Sequence, residues 1–256
     1  MTRATLDLSP SPGAAPRARR ILAHARTEAS LLLRNGEQLL LALVIPLGLL
    51  VAGMLFGDRI GLDPVAFPAS VLALALWSTS FTSLAITTAF ERRYGVLERL
   101  VATPLTRSDL ITGKALASAS IAGGQVLLVA VVAVALGWRP EVQPLPLLGA
   151  VVAAVLALVA FASFALALAG RLRAEATLAV ANLIYLVVAA GGALVLPLAS
   201  YPAWAQPLLA ALPPAQLGET LRGAASGSVS PLHLVGLALW AAVALLVARK
   251  AFRWTS

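Results

Sequence analysis

Hydrophobic residues in this chain fall in long uncharged blocks and not in the narrow stripes of a soluble amphipathic helix. Six such runs, at about 38–57, 66–90, 115–136, 146–169, 176–198 and 231–248, are dominated by Ala and Leu and contain no Asp, Glu, Lys or Arg. A hydrocarbon core about 30 Å thick needs about 20 helical residues to cross it, so each run predicts a membrane-spanning helix. Barrel strands would be about half as long and would alternate in polarity. The pattern therefore predicts an all-α polytopic membrane protein with six transmembrane helices.

Two regions break the pattern. In residues 17–34, Leu22, Ala25, Ala29, Leu32 and Leu33 recur at helical spacing, with Arg17, Arg20, His24, Glu28 and Arg34 opposite them. This predicts an amphipathic helix lying in the membrane interface, after which Asn35-Gly36 turns the chain into the first span. A basic juxtamembrane anchor and a part in gating both fit such a helix. Between the fifth and sixth runs, prolines and aromatics (Tyr201, Pro202, Trp204, Pro213) interrupt segments too short to span, and Glu219 and Arg222 sit at i, i+3, where they can pair on one helix. A surface ion pair worth little is the plainer reading of those two. Residues 1–16 are expected to be a disordered tail without the apolar core of a cleavable signal, 17–250 one membrane domain, and 251–256 a short cytoplasmic tail.

Charge adds orientation. The chain is 60% hydrophobic, 12% charged and carries a net charge of +8. Basic residues cluster in the N-terminal segment, in the 91–114 loop, at Arg171 and Arg173, and in the tail at Arg249, Lys250 and Arg253, leaving Arg59, Arg139 and Arg222 for the other side. The positive-inside rule then predicts a multi-pass protein of the cytoplasmic membrane with both termini cytoplasmic. Spread over four segments without a reader motif, this charge does not predict nucleic-acid binding. No cysteine is present, and His24 and His233 are isolated, so no metal site is expected.

Within the spans, Thr79, Ser83 and Thr87 form an i, i+4, i+8 row, and Gln125, Asn182 and Tyr185 add polarity elsewhere. They are candidates for a pathway or a subunit interface; helix packing explains the Ser and Thr equally well. The spans hold no ionisable group of the kind an ion-coupled carrier uses. Paired carboxylates, a His cluster or an activated nucleophile are lacking too, so no enzyme is predicted.

The loop after the second run is the most informative segment. It reads Phe90-Glu91-Arg92-Arg93-Tyr94-Gly95-Val96-Leu97-Glu98-Arg99-Leu100, then Thr103-Pro104-Leu105 and Ile111-Thr112-Gly113-Lys114. Tyr94, Leu97, Leu100 and Val101 share one face of a helix expected over 91–103, with Glu91, Arg92, Glu98 and Arg99 largely on the other and Pro104 ending it. Thr106 to Asp109 has the spacing of a capping box that would start the next helix. By themselves these residues also read as solvated loop charges. The stretch resembles the signature of ABC-2 type transporter permeases, and the interfacial helix, six spans and Pro-rich segment before the sixth span extend the resemblance along nearly the whole chain. Val96, and Tyr94 before Gly95, depart mildly from the pattern.

That resemblance implies a permease subunit of an ATP-driven exporter, working with a second permease copy or paralogue in the lipid bilayer. A separate ABC ATPase would dock on the 91–103 helix through Glu91, Arg92, Glu98 and Arg99, with Tyr94, Leu97 and Leu100 on its other face, Gly95 allowing close packing and Pro104 fixing the exit angle. The 197–223 stretch would form short external re-entrant helices. The chain has no phosphate-binding loop, since Gly113-Lys114 is followed by Ala115, so it would bind no cofactor and leave ATP and Mg to its partner. The form of the motif is closest to daunorubicin-type drug and antibiotic exporters, which implies multidrug efflux of amphiphilic or hydrophobic compounds. Export of lipid, lipid-linked glycan or haem is the alternative within the family, and an ion-coupled secondary transporter the alternative outside it.

Overall fold

The computed structural model describes residues 13–34 and 36–251; most of the expected N-terminal tail, Asn35 of the expected turn and residues 252–256 lie outside them. Among the described residues the fold is all α, and six helical segments are long and apolar enough to cross a membrane. In chain order the helices are α1 (Arg17–Arg34), α2 (Gly36–Phe56), α3 (Ala66–Trp77), α4 (Leu84–Arg93), α5 (Val96–Val101), α6 (Arg107–Ala135), α7 (Pro144–Ala169), α8 (Ala174–Gly191), α9 (Gln206–Ala210), α10 (Pro213–Ala225) and α11 (Pro231–Ala251). A π-helical stretch, Ser78–Ser83, joins α3 to α4 into one second span, the most enclosed of the six.

The spans run up and down, so the bundle has two distinct ends. One, here the basic end, gathers α1, the α4–α6 connection, residues 170–173 and the last turn of α11 with Arg249 and Lys250. At the opposite end α10 packs on α3, α7 and α11. The interior is built largely of alanine. Ala73, Ala85, Ala153, Ala157, Ala160 and Ala165 are all fully buried around Phe161, Leu166 and a stacked Trp77–Phe81 pair with ring centroids 4.5 Å apart. Such small side chains let helix backbones approach closely, the packing expected where lipid offers apolar groups no less apolar a partner. Gly53 belongs to this packing, lying against the Phe67 ring of α3, whereas Gly57 meets Leu62 in the turn that follows α2.

Four expectations are corrected. The fifth span stops at Gly191, short of 198, because Gly191-Gly192 and Pro197 do not sustain a helix and Ala193 takes a left-handed φ of 52°. The single helix expected over 91–103 is two pieces. Gly95, at φ +69°, breaks the chain between α4 and α5, and only the Glu98 carboxylate comes near it, so the backbone conformation and no crowding within the chain explains the glycine. Helix α1 keeps its leucines outward, Leu22 and Leu33 being 52% and 60% exposed, but its polar side does not face water: His24 and Glu28, with Ala25 of the apolar set, are buried against the bundle. Its polar side finds charged partners on α6, and its leucines are left for the bilayer. Finally, Glu219 and Arg222 pair on one helix as their spacing predicts, at 2.8 Å, and it is the surface reading that gives way, as Arg222 is 5% exposed.

Candidate functional site

At the basic end, α4 delivers the chain to Tyr94-Gly95 and α6 takes it back at Thr106. The expected capping box is present: Asp109 N donates to Thr106 Oγ1 and Thr106 N donates to Asp109 Oδ2, both at 3.2 Å. Between these points α5 is anchored by Leu97, fully buried, and by half-buried Leu100. Glu98 and Arg99 face outward, and so does Tyr94, which is 66% exposed and stacked on Phe90 instead of sharing the inner face with Leu97. Thr103 and exposed Pro104 form the turn that follows. Glu91 and Arg92 stand apart from this group on the last turn of α4. Arg92 donates to Leu172 O in the α7–α8 connection, and the neighbouring Arg93 pairs with Glu175.

Glu91 belongs to a cluster that the sequence reading missed. The Lys114 ammonium, on a side chain 1% exposed, donates to Glu28 Oε2 at 2.8 Å and to Glu91 Oε2. Ionisable groups are therefore buried inside the bundle, just beyond the uncharged runs. His24 lies over Gly113, where any larger side chain would meet its ring, and its Nε2 is 3.6 Å from Glu28 Oε1, too far for a hydrogen bond. One turn earlier, Asp109 accepts from Arg17 Nε at 2.7 Å and from Arg20 at 3.3 Å. A visible signal was the position of Glu91 and Lys114 at facing ends of two antiparallel spans joined by a short loop.

Burial pushes the His24 imidazole below its ordinary value of about 6.5; Glu28 pulls it up and Lys114 pushes it down. The folded chain thus binds this proton less readily than the unfolded chain, and the neutral ring stabilises the fold above about pH 6.5. The melting midpoint in detergent is expected to fall as pH drops from about 7 to about 5, and His24→Gln to flatten that decline. An identical pH profile in the variant would exclude the imidazole as the group responsible.

Clefts enter the bundle at two places that bear on the site. The first adjoins the cluster and is lined by Glu28, Lys114, Ser118 and the expected row Thr79, Ser83 and Thr87, now brought onto one wall. It is small, with room for about two waters. Thr79 also donates to Gln125 Oε1, which makes these two one buried pair. The second cleft, about 380 Å³, lies between α8 and α11 and is wholly apolar, with Trp77, Phe81, Phe164, Ile184, Trp240 and Pro213 among its walls. Tyr185 is half-buried on α8, while Asn182 is exposed on the outer face of that helix, so these two do not join the row.

At the opposite end, Arg222 gathers the break after α8. It donates to Leu194 O (2.8 Å), Ala193 O (2.9 Å), Ser70 Oγ (2.9 Å) and Glu219 Oε1 (2.8 Å). Glu219 Oε1 also accepts from Leu198 N at 2.7 Å. Tyr201 Oη donates to Ala190 O at 3.1 Å, whereas Trp204 is 77% exposed and Pro202 is at the surface. Gly218 is required here, since a methyl group in its place would stand 2.8 Å from Leu194 O.

Most of helix α1, the divided loop, the first five spans and α10 lie within residues 19–225, and that range matches the sequence model of the family described as ABC-2 type transporter. The chain belongs to the ABC-2 type transporter family. Comparison with curated proteins gave no significant match. As an ABC-2 permease it is a multi-pass membrane subunit for transport and no catalytic domain, and the family implies an ABC ATPase as its partner.

Proposed function

We propose that this ABC-2 permease exports amphiphilic or hydrophobic compounds of the drug and antibiotic type, driven by a separate ATPase seated on the 94–104 segment at the cytoplasmic face. The observation that carries the cargo class is the apolar cleft of about 380 Å³ between α8 and α11, a size within the roughly 300–1,000 Å³ of small-molecule sites. Its aromatic walls suit flat apolar groups, and the absence of a charged wall suits a lipid chain as a second reading.

Support for the docking surface comes from α5, where Leu97 secures a short helix to the bundle and Glu98, Arg99 and Tyr94 are left free to meet a partner. Basic residues at that end favour its being cytoplasmic, with both termini there. A second permease copy is supported by Asn182, whose amide on the outer face of a span lacks water in a bilayer and gains a partner when another chain covers it. In this reading ATP and Mg are bound by the ATPase.

Turnover of the permease purified with its ATPase in lipid tests the reading. Glu98→Ala with Arg99→Ala is expected to lower cargo-stimulated hydrolysis by about tenfold, equivalent to about 1.4 kcal/mol of coupling. If the double variant assembles and responds to amphiphiles as the wild type does, α5 is not where the ATPase acts.

A further inference from the structure

The Glu28–Lys114–Glu91 cluster joins three elements at one point: α1 supplies Glu28, α6 supplies Lys114, and the last turn of α4 supplies Glu91. One ammonium faces two carboxyl groups, one more than it needs to balance its charge. Apolar side chains of similar volume would hold three helices together at least as well as a buried ionic trio. The placement of the charges is specific. Glu91 lies where the 94–106 segment leaves the second span, and Asp109 lies where that segment enters the third. Helix α1 holds Asp109 directly, through Arg17 and Arg20, and reaches Glu91 through Lys114, which Glu28 also binds.

We propose that Lys114 is a two-partner latch, a positioning residue that passes movement of the 94–106 segment into the spans by releasing Glu91 while keeping Glu28. The inference rests on the reading that this segment receives the ATPase. An ammonium has three donors and needs one carboxylate to balance its charge, so Lys114 stays compensated on Glu28 when α4 shifts away. The adjoining cleft, with room for about two waters, supplies a partner for the donor that Glu91 leaves. The trio thereby has two discrete arrangements, which transmission between distant sites requires. In both, α1 and α6 move as one body while the end of the second span moves against them.

Glu28→Gln and Glu91→Gln separate a latch from a cement. Each leaves one ammonium on one carboxylate, a better balanced interior than the native trio, so each is expected to fold and to melt no lower than the wild type. A cementing role predicts normal stimulation of ATP hydrolysis by amphiphilic cargo in the reconstituted complex. The latch predicts that the ratio of stimulated to basal hydrolysis falls by at least about fivefold in both variants, the low end of usual coupling strengths. The variant Glu28→Gln/Lys114→Met/Glu91→Gln, with no charge left to bury, is expected to remain assembled and equally unresponsive. Wild-type ratios in the two single variants would overturn the latch alone. If the wild-type complex itself shows no stimulation, the docking reading fails and the latch falls with it.

Discussion

Arg222→Leu is expected to remove about 3–5 kcal/mol of stability, the usual cost of deleting one partner from a buried charged network. With typical domains stable by about 5–15 kcal/mol, that is a large share of the total, and the melting midpoint in detergent is expected to drop clearly. The cost has identifiable parts. The carbonyls of Ala193 and Leu194 lose their donors, the Ser70 hydroxyl loses its guanidinium partner, and Glu219 keeps its charge with Leu198 N as its remaining bond. Arg222→Lys recovers the Glu219 pair but cannot span two successive carbonyls and a serine with one ammonium, so it is expected to fall between. Thermal unfolding followed by tryptophan fluorescence measures the series. A midpoint unchanged in Arg222→Leu would mean that the break after α8 is held by something other than this side chain.

Gly113→Leu is the second large effect, because the leucine would occupy the space of the His24 ring. Overpacking of this kind costs about 1–3 kcal/mol. Here the strain is relieved by lifting α1 from α6, which also breaks the Arg17 and Arg20 contacts to Asp109 and the Glu28 contact to Lys114. Trypsin reads the outcome directly, since Arg19 and Arg26 on α1 are exposed and an undocked helix is cleaved faster than a docked one. Cleavage at the wild-type rate would show that α1 accommodates the leucine in place.

Much of this architecture was legible because long apolar runs and caps are local signals. The six spans, the start of α6 at its Thr106–Asp109 box and the existence of α1 all follow from residues close together in the chain. Where the reading failed, distant partners decided. The polar side of α1 looked like the solvated side until Asp109 and Lys114 stood opposite it, and their distance along the sequence hid them. Arg222 looked like a surface residue because its main partners are backbone carbonyls, which no side-chain pattern reveals. Gly95 illustrates a third cause. A glycine in a signature motif serves close contact or positive φ equally well, and only the backbone distinguishes them. The candidate site was half readable as a result: Tyr94, Glu98 and Arg99 stand free on the loop, while Glu91 and Arg92 are committed to partners inside the chain.

The alanine interior bears on how anything could pass through this molecule. Alanine has no side-chain torsion to change, so a wall made of it has no swinging door. A channel gated by one phenylalanine or one arginine can open while its helices stand still. In this bundle, widening the space around Ala153, Ala157 and Ala160 means that whole helices part, and a closed barrier there is as stiff as the backbones that form it. Any opening at that level is thereby a rigid-body movement, driven from the ends of the helices.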